Sequence, residues 1–184
     1  MQIRKLARIA LFPALLAILA QIAVPLPFSP VPLTGQLIGI FLAPAILGSR
    51  GAVLAVLSYL LLGAAGAPVF SLARGGLGML LGPTGGYLLG FLPGVYLAGL
   101  MLENQPAPGI LRTAAAMGGC LLCTYLIGSL QLKFLMGYTL LQALLAGVLP
   151  YIPLDLAKLA FTALLSIRLK AGLTATNRGE SKAN

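Results

Sequence analysis

The chain has 184 residues, of which 59% are hydrophobic and only 8% charged, with a mean hydropathy of +1.02 and a formal net charge of +9. A water-soluble domain is about a quarter charged, so this chain has too few charges to clothe a solvated surface, whereas a bilayer asks for none on its lipid-facing side. The positive excess does not mark a nucleic-acid binder either, because the lysines and arginines sit at the ends of apolar segments and not along one continuous face.

The basic start, Arg4, Lys5 and Arg8, runs into an apolar stretch with no small-residue cleavage site, so a first helix over about Leu6 to Val24 is expected to stay in the protein. It ends at Pro25-Leu26-Pro27-Phe28-Ser29-Pro30-Val31-Pro32, where the prolines cannot continue a helix and a rigid extended loop is expected. A second helix, about Thr34 to Leu47, and a third, about Gly51 to Ala65, are joined by Gly48-Ser49-Arg50, which leaves room only for a tight turn between antiparallel helices. Both are shorter than the ~20 residues of a perpendicular crossing. From Gly66 to Pro83 the chain is glycine-rich and irregular. A fourth helix follows over about Thr84 to Leu102, then a polar loop from Glu103 to Gly109, and a fifth helix over about Ile110 to Leu132. Tyr138 to Leu149 is apolar but too short for a crossing and reads as an interfacial or re-entrant helix. The sixth helix runs over about Ile152 to Leu169.

The fold class that follows is all-α: a polytopic membrane protein with six transmembrane helices. Residues 1–170 form a single integral membrane domain and 171–184 a polar tail, expected to be disordered. An even number of spans places both termini on one side. Arg4, Lys5, Arg8, Arg50, Arg112, Arg168, Lys170, Arg178 and Lys182 gather there, against Arg74, Lys133 and Lys158 on the other, which makes the first side and both termini cytoplasmic. The expected location is the inner (cytoplasmic) membrane, multi-pass, with the lipid bilayer as solvent. The proline loop, the 66–83 loop and the 133–150 segment then meet at the outer face, beside the start of the sixth helix.

Few residues carry chemistry. Of three acids, Glu103 and Glu180 fall in the cytoplasmic loop and tail, which leaves Asp155 three residues before Lys158, on nearly the same helix face. A charge inside a membrane helix is costly and therefore a functional-site hypothesis by default. The plainer alternative is that the two merely neutralise one another near the outer interface. As a site, a mixed donor and acceptor pair suits a neutral polar head group. The run Gly75-Gly76-Leu77-Gly78 to Gly85-Gly86-Tyr87 has no Gly-Lys-Ser/Thr ending and no βαβ context, so a nucleotide loop is not indicated. Its glycines let backbone approach a ligand, with Gly75 and Gly76 as candidates, or let helices pack closely through Gly85, Gly86 and Gly90.

Tyr87, Gln36, Thr34 and Arg74 are the other polar side chains in the outer half, each a candidate ligand contact or else an interhelical tie or interface anchor. Arg74 stands out because an anionic ligand would need a cation beyond one already paired with Asp155. Cys120 and Cys123 have no second pair and there is no histidine, so ordinary packing is expected of both. The first helix spaces Ala7, Ala10, Ala14, Ala17 and Ala20 as a small-residue face, for internal packing or for docking a separate membrane subunit. The absence of histidine excludes Ser-His and Cys-His mechanisms, and Asp155 alone builds neither a carboxylate pair nor a metal cluster, so no enzyme and no cofactor are expected. A self-sufficient secondary carrier is the rival transport reading, although no internal repeat is visible.

Three segments, Pro30-Val31-Pro32-Leu33-Thr34-Gly35-Gln36, Gly82-Pro83-Thr84-Gly85-Gly86-Tyr87-Leu88 with Gly90-Phe91, and Pro150-Tyr151-Ile152-Pro153-Leu154-Asp155 to Lys158, resemble the BioY family. These are the biotin-specific substrate-binding subunits of energy-coupling-factor (ECF) transporters, and the likeness covers nearly the whole chain in the same order. It implies six membrane helices, a biotin pocket near the extracellular face, and no catalysis by this subunit. It also implies partnership with a transmembrane coupling protein and cytoplasmic ATPase subunits, the first helix docking through an Ala-x-x-x-Ala surface that Ala10 and Ala14 fit. By the resemblance, Asp155 and Lys158 fall on the family's acid and lysine for the polar head of biotin, and Tyr87 on the motif opening the fourth helix. Leu154, Tyr151 and Arg74 depart from the family's usual residues. A ureido ring presents two N–H donors and one carbonyl to such a pair, while its ring carbons and valerate chain want apolar walls such as Phe70 and Leu77. Asp155 is expected to accept from a ureido N–H, and Lys158 or Arg74 to meet a ligand oxygen.

Overall fold

The computed structural model describes residues 3–103, 105 and 108–183, with residues 4, 5 and 171–183 described by backbone alone. Helix α1 is Ile3–Gln21, and its buried face, Ile9, Phe12, Leu16 and Ala20, packs on the second helix. The proline segment is extended as expected, but it pairs with itself: β1 (Ala23–Leu26) and β2 (Ser29–Thr34) form an antiparallel hairpin, interrupted between Val24 and Leu26. A two-stranded ribbon has only edges, where prolines that donate nothing to the ladder are tolerated. The all-α expectation therefore holds for everything except this ribbon, and α1 stops short of Val24.

Helix α2, Gln36–Ala64, is a hairpin in disguise. Gly48 sits inside it at φ 74°, ψ −178°, a backbone open to glycine and strained for other residues. The Gln36 amide donates to the Tyr59 hydroxyl at 2.5 Å, although a straight helix would hold the two residues roughly 35 Å apart at ~1.5 Å per residue. The chain thus reverses at Gly48, and the second and third helices foreseen around Gly48-Ser49-Arg50 are its two arms, roughly 18 and 24 Å long at ~1.5 Å per residue.

After a single 3₁₀ turn at Ser71–Ala73 and the short α3 (Leu77–Leu81) come α4 (Gly85–Glu103) and α5 (Ile110–Met136). These two make the most extensive contact in the molecule, because Gly86, Gly90 and Gly94 line one face of α4 and let the backbone of Ile127, Thr124 and Cys120 come close. Cys120 is buried in that seam, an ordinary packing residue. Apolar surface gains nothing in lipid by hiding from lipid, so this kind of close fit has to carry helix association. Helix α6 (Leu140–Gly147), the short helix expected before the last one, starts with a reciprocal Thr139–Gln142 capping box and meets α7 (Ile152–Ala183) at a 55° bend, the geometry of either a broken span or a re-entrant loop. The backbone of α7 runs on to Ala183, so the segment expected as a disordered tail is helical, with no proline after Leu169 to stop it.

By length and composition α2, α4 and α5 are apolar enough to cross a membrane, as is the bent α6–α7 pair taken as one span. Leu111, Phe134, Leu126 and Leu122 of α5 point outward, which a bilayer accommodates and water would not. One core runs through the bundle around Leu16, Ile40, Phe41, Val56, Tyr59 and Met117, and a second, smaller one, Val31, Tyr87, Leu132 and Tyr151, lies at the end where the ribbon and α6 meet.

Candidate functional site

At that end a pocket with ≈ 600 Å³ of empty space, counted out to its mouth, lies between β2, the start of α2, the Phe70–Ser71 loop, α4, α5 and the α6–α7 corner. Its polar end is built on Asp155, which is 3% exposed. One carboxylate oxygen accepts from the Lys158 ammonium at 2.8 Å and the other from the Tyr125 hydroxyl at 2.7 Å. Lys158 also donates to the Thr34 carbonyl at 2.7 Å, which ties the second turn of α7 to the end of β2. The pair therefore borders the pocket and is held from two sides, by Tyr125 and by the Thr34 carbonyl.

Beside it, Thr34 donates to the Gln36 amide oxygen at 3.2 Å, Gln36 donates to Tyr59, and Tyr59 donates to the Val69 carbonyl at 2.9 Å. This chain fixes the pocket's inner wall and places Phe70, fully buried and edge-on to the Tyr59 ring with centroids 5.5 Å apart. Gln21 secures the same loop from α1, donating to the Phe70 carbonyl and accepting from the Ala73 N–H. Leu37, Leu88 and Phe91 complete apolar walls.

Tyr87 projects from the first turn of α4 into this space. It is 8% exposed, and among the described residues its hydroxyl is the one buried side-chain polar atom without a hydrogen-bond partner. The hydroxyl occupies the place a side chain at Gly147 would take, since a Cβ there would lie 1.9 Å from it. A buried hydroxyl without a partner costs free energy unless something supplies one.

Of the residues singled out from sequence, Asp155, Lys158, Tyr87, Gln36, Thr34 and Phe70 line the pocket. Arg74, Gly75 and Gly76 do not. Phe70 and Arg74 are bridged backbone to backbone, so the loop sends Phe70 inward and leaves Arg74 exposed. Gly75 packs against the Ala67 carbonyl, and the Gly76 N–H donates to the Gly63 carbonyl at 2.7 Å, so both serve the turn. Leu77, expected as a wall, is 63% exposed. Ala10 and Ala14 lie on the exposed face of α1 with Ala7, whereas Ala20 is buried against α2.

Sequence reasoning missed Tyr125, Thr84, Thr124 and the role of Tyr151. The Tyr151 hydroxyl donates to the Val31 carbonyl and bonds with the Ser29 hydroxyl at 2.8 Å, pinning the ribbon over the pocket. A tyrosine midway along an apolar span, as Tyr125 is, was the available signal, because tyrosines favour the interfaces and one away from them needs a partner.

The BioY family model matches residues 1–175. A biotin transporter BioY of Thermotoga maritima is 38% identical over 167 residues, 91% of this chain and 96% of that protein. A probable biotin transporter BioY of Pyrococcus horikoshii is 38% identical over 170 residues, 92% of this chain and 98% of that protein. The fold is that of the S-component for biotin from an ECF-type ABC transporter, known from a crystal structure, with a TM-score of 0.86, 27% identity and 92% of each chain covered. These relatives are named as transporters and not as enzymes. The chain belongs to the BioY family.

Proposed function

We propose that this protein is the biotin-binding subunit of an ECF-type vitamin uptake transporter, which captures biotin in the pocket between Asp155 and Phe70 and performs no chemistry on it. The observation that carries the reading is a buried acid–lysine pair with spare acceptor and donor capacity, set beside a tyrosine hydroxyl that has no partner within the protein, in a pocket with apolar walls. A carboxylate oxygen has lone pairs left after one bond, and an ammonium has a third proton. Asp155 accepts from a ureido N–H, Lys158 donates to the ureido carbonyl, Tyr87 supplies a further hydrogen bond, and Phe70 and Phe91 flank the apolar ring and chain. Gln36 and Thr34 hold the wall, and Arg74, Gly75 and Gly76 act through the loop that carries Phe70.

In this reading six crossings are made by α1, the two arms of α2, α4, α5 and α7, in the cytoplasmic membrane with both termini inside. The exposed Ala10 and Ala14 face of α1 receives a transmembrane coupling protein, which connects the subunit to cytoplasmic ATPases. The chain contains no phosphate-binding loop of its own, so ATP energy has to come from such partners. Titrating biotin into the detergent-purified protein tests the capture step, with saturable one-to-one binding expected and no binding refuting it. Uptake by cells with and without a coupling module tests the partnership: accumulation by this chain alone, driven by an ion gradient, would instead make it a secondary carrier.

A further inference from the structure

One turn beside the pocket is held against its own backbone preference. Leu72 (φ 60°, ψ 36°) and Ala73 (φ 54°) are consecutive residues in the left-handed region, where a Cβ crowds the following carbonyl. Both side chains are exposed, Leu72 at 41%, so burial of either does little to offset the strain. A conformation of this kind persists where its surroundings fix it. What it achieves here is the placement of Phe70, whose backbone N–H donates to the Arg74 carbonyl at 2.9 Å across the turn and whose ring is fully buried at the pocket wall. The ring fills a notch left by Gly63, where a Cβ would overlap it.

Gln21, the last residue of α1, reaches this turn from outside. Its amide oxygen accepts from the Ala73 N–H at 2.9 Å and its amide nitrogen donates to the Phe70 carbonyl at 3.2 Å, so one side chain grips the strained segment at both ends. The same nitrogen donates to the Ala17 carbonyl at 3.1 Å, which anchors the grip in its own helix. Among the described residues, Gln21 is the side chain that bonds the backbone of 70–74 from another element. It is exposed and lies outside the pocket lining, so it does not meet a ligand itself.

We infer that Gln21 is a positioning residue for ligand capture: it holds the Leu72–Ala73 turn in its left-handed conformation and thereby keeps Phe70 seated as the pocket's apolar wall. The inference rests on the biotin reading above and adds to it a residue that touches no ligand. Without the amide, the two residues relax toward ordinary backbone, the Phe70–Arg74 bridge opens, and the ring leaves the Gly63 notch for part of the time. Ligand affinity then falls with the fraction of molecules that still present the wall. Removing the strain instead of the grip has the opposite effect. Ala73→Gly accepts a φ of 54° without penalty, so the turn no longer depends on Gln21.

Calorimetric titration of biotin into the full-length protein in detergent tests this with Gln21→Met, which keeps the side chain's length and deletes its hydrogen bonds. Affinity is expected to fall ~10-fold, from the loss of two bonds that favour one conformer. Gln21→Glu retains the acceptor for the Ala73 N–H and is expected between Gln21→Met and wild type. Adding Ala73→Gly to Gln21→Met should bring affinity back to within ~3-fold of wild type. A residue that merely supports the fold would lower the melting temperature and leave the affinity of the folded protein alone. Wild-type affinity in Gln21→Met, or a loss that Ala73→Gly does not restore, overturns the inference. The chain has no tryptophan, so Leu72→Trp gives the turn a lone reporter that needs no ligand, and its emission anisotropy is expected to drop when Gln21→Met is added. Should wild-type protein fail to bind biotin, the functional reading falls, yet the reporter still decides on Gln21: a drop upholds its hold on the turn, and an unchanged signal overturns it.

Discussion

Each end of the bundle is organised around one carboxylate, and the two do different work. Glu103, at the end of α4, accepts at 2.7 Å from both the backbone N–H and the hydroxyl of Ser49, which caps the second arm of α2 where the chain turns. An acid at a helix N-terminus satisfies orphan donors and the helix dipole together. Glu103 is exposed and the turn it caps is tightly packed: a Cβ on Gly48 would lie 2.8 Å from that Glu103 oxygen, and one on Gly99 would lie 2.3 Å from the Ser49 Cα. Asp155 is held by side chains, Lys158 and Tyr125, and borders a cavity. An acid that caps a packed turn builds the fold, whereas an acid held by Lys158 and Tyr125 beside empty space retains capacity for a ligand.

The strongest way to break this contrast is Asp155→Asn, which keeps the shape and leaves Lys158 as an unpaired buried cation. Biotin affinity is expected to fall at least ~100-fold by calorimetry, and an unchanged isotherm would place Asp155 in the same structural category as Glu103. Tyr125→Phe removes one of the two groups that orient Asp155, and a loss of about 10-fold is expected, in line with a hydrogen bond to a charged group. Tyr87→Phe sharpens the contrast differently. Affinity should drop by roughly 3- to 10-fold, while the ligand-free protein keeps or gains thermal stability because a buried hydroxyl without a partner has been deleted; a less stable apo protein would mean that hydroxyl is satisfied within the fold. Glu103→Gln is the mirror experiment, expected to lower stability by ~1 kcal/mol while biotin affinity stays constant. A shift in affinity there would erase the distinction between the two ends.

Much of this was legible from punctuation in the sequence. Gly48-Ser49-Arg50 announced a reversal, and it is one, although the two arms join in a continuous helical run through Gly48. The short apolar segment before Pro150 announced a helix too short to cross alone, and α6, with eight residues, is that helix. Asp155 and Lys158 stood out because charges inside membrane helices are rare. The pairing of β1 with β2 was not legible, since prolines hide a ladder by withholding its donors. Arg74 was misplaced relative to the pocket because sequence proximity to Phe70 says nothing about which way a loop turns. The Phe70–Arg74 bridge, which sends one in and the other out, is a backbone contact no residue pattern encodes. Tyr125 lies thirty positions before its partner Asp155, and only the packing of α5 against α7 brings them together.

The most direct test of the account is a crystal structure of the protein with biotin bound. It predicts a ureido nitrogen within about 3 Å of an Asp155 carboxylate oxygen. Biotin bound in the reverse sense, its carboxylate on Lys158 and its ring toward the mouth, would contradict it.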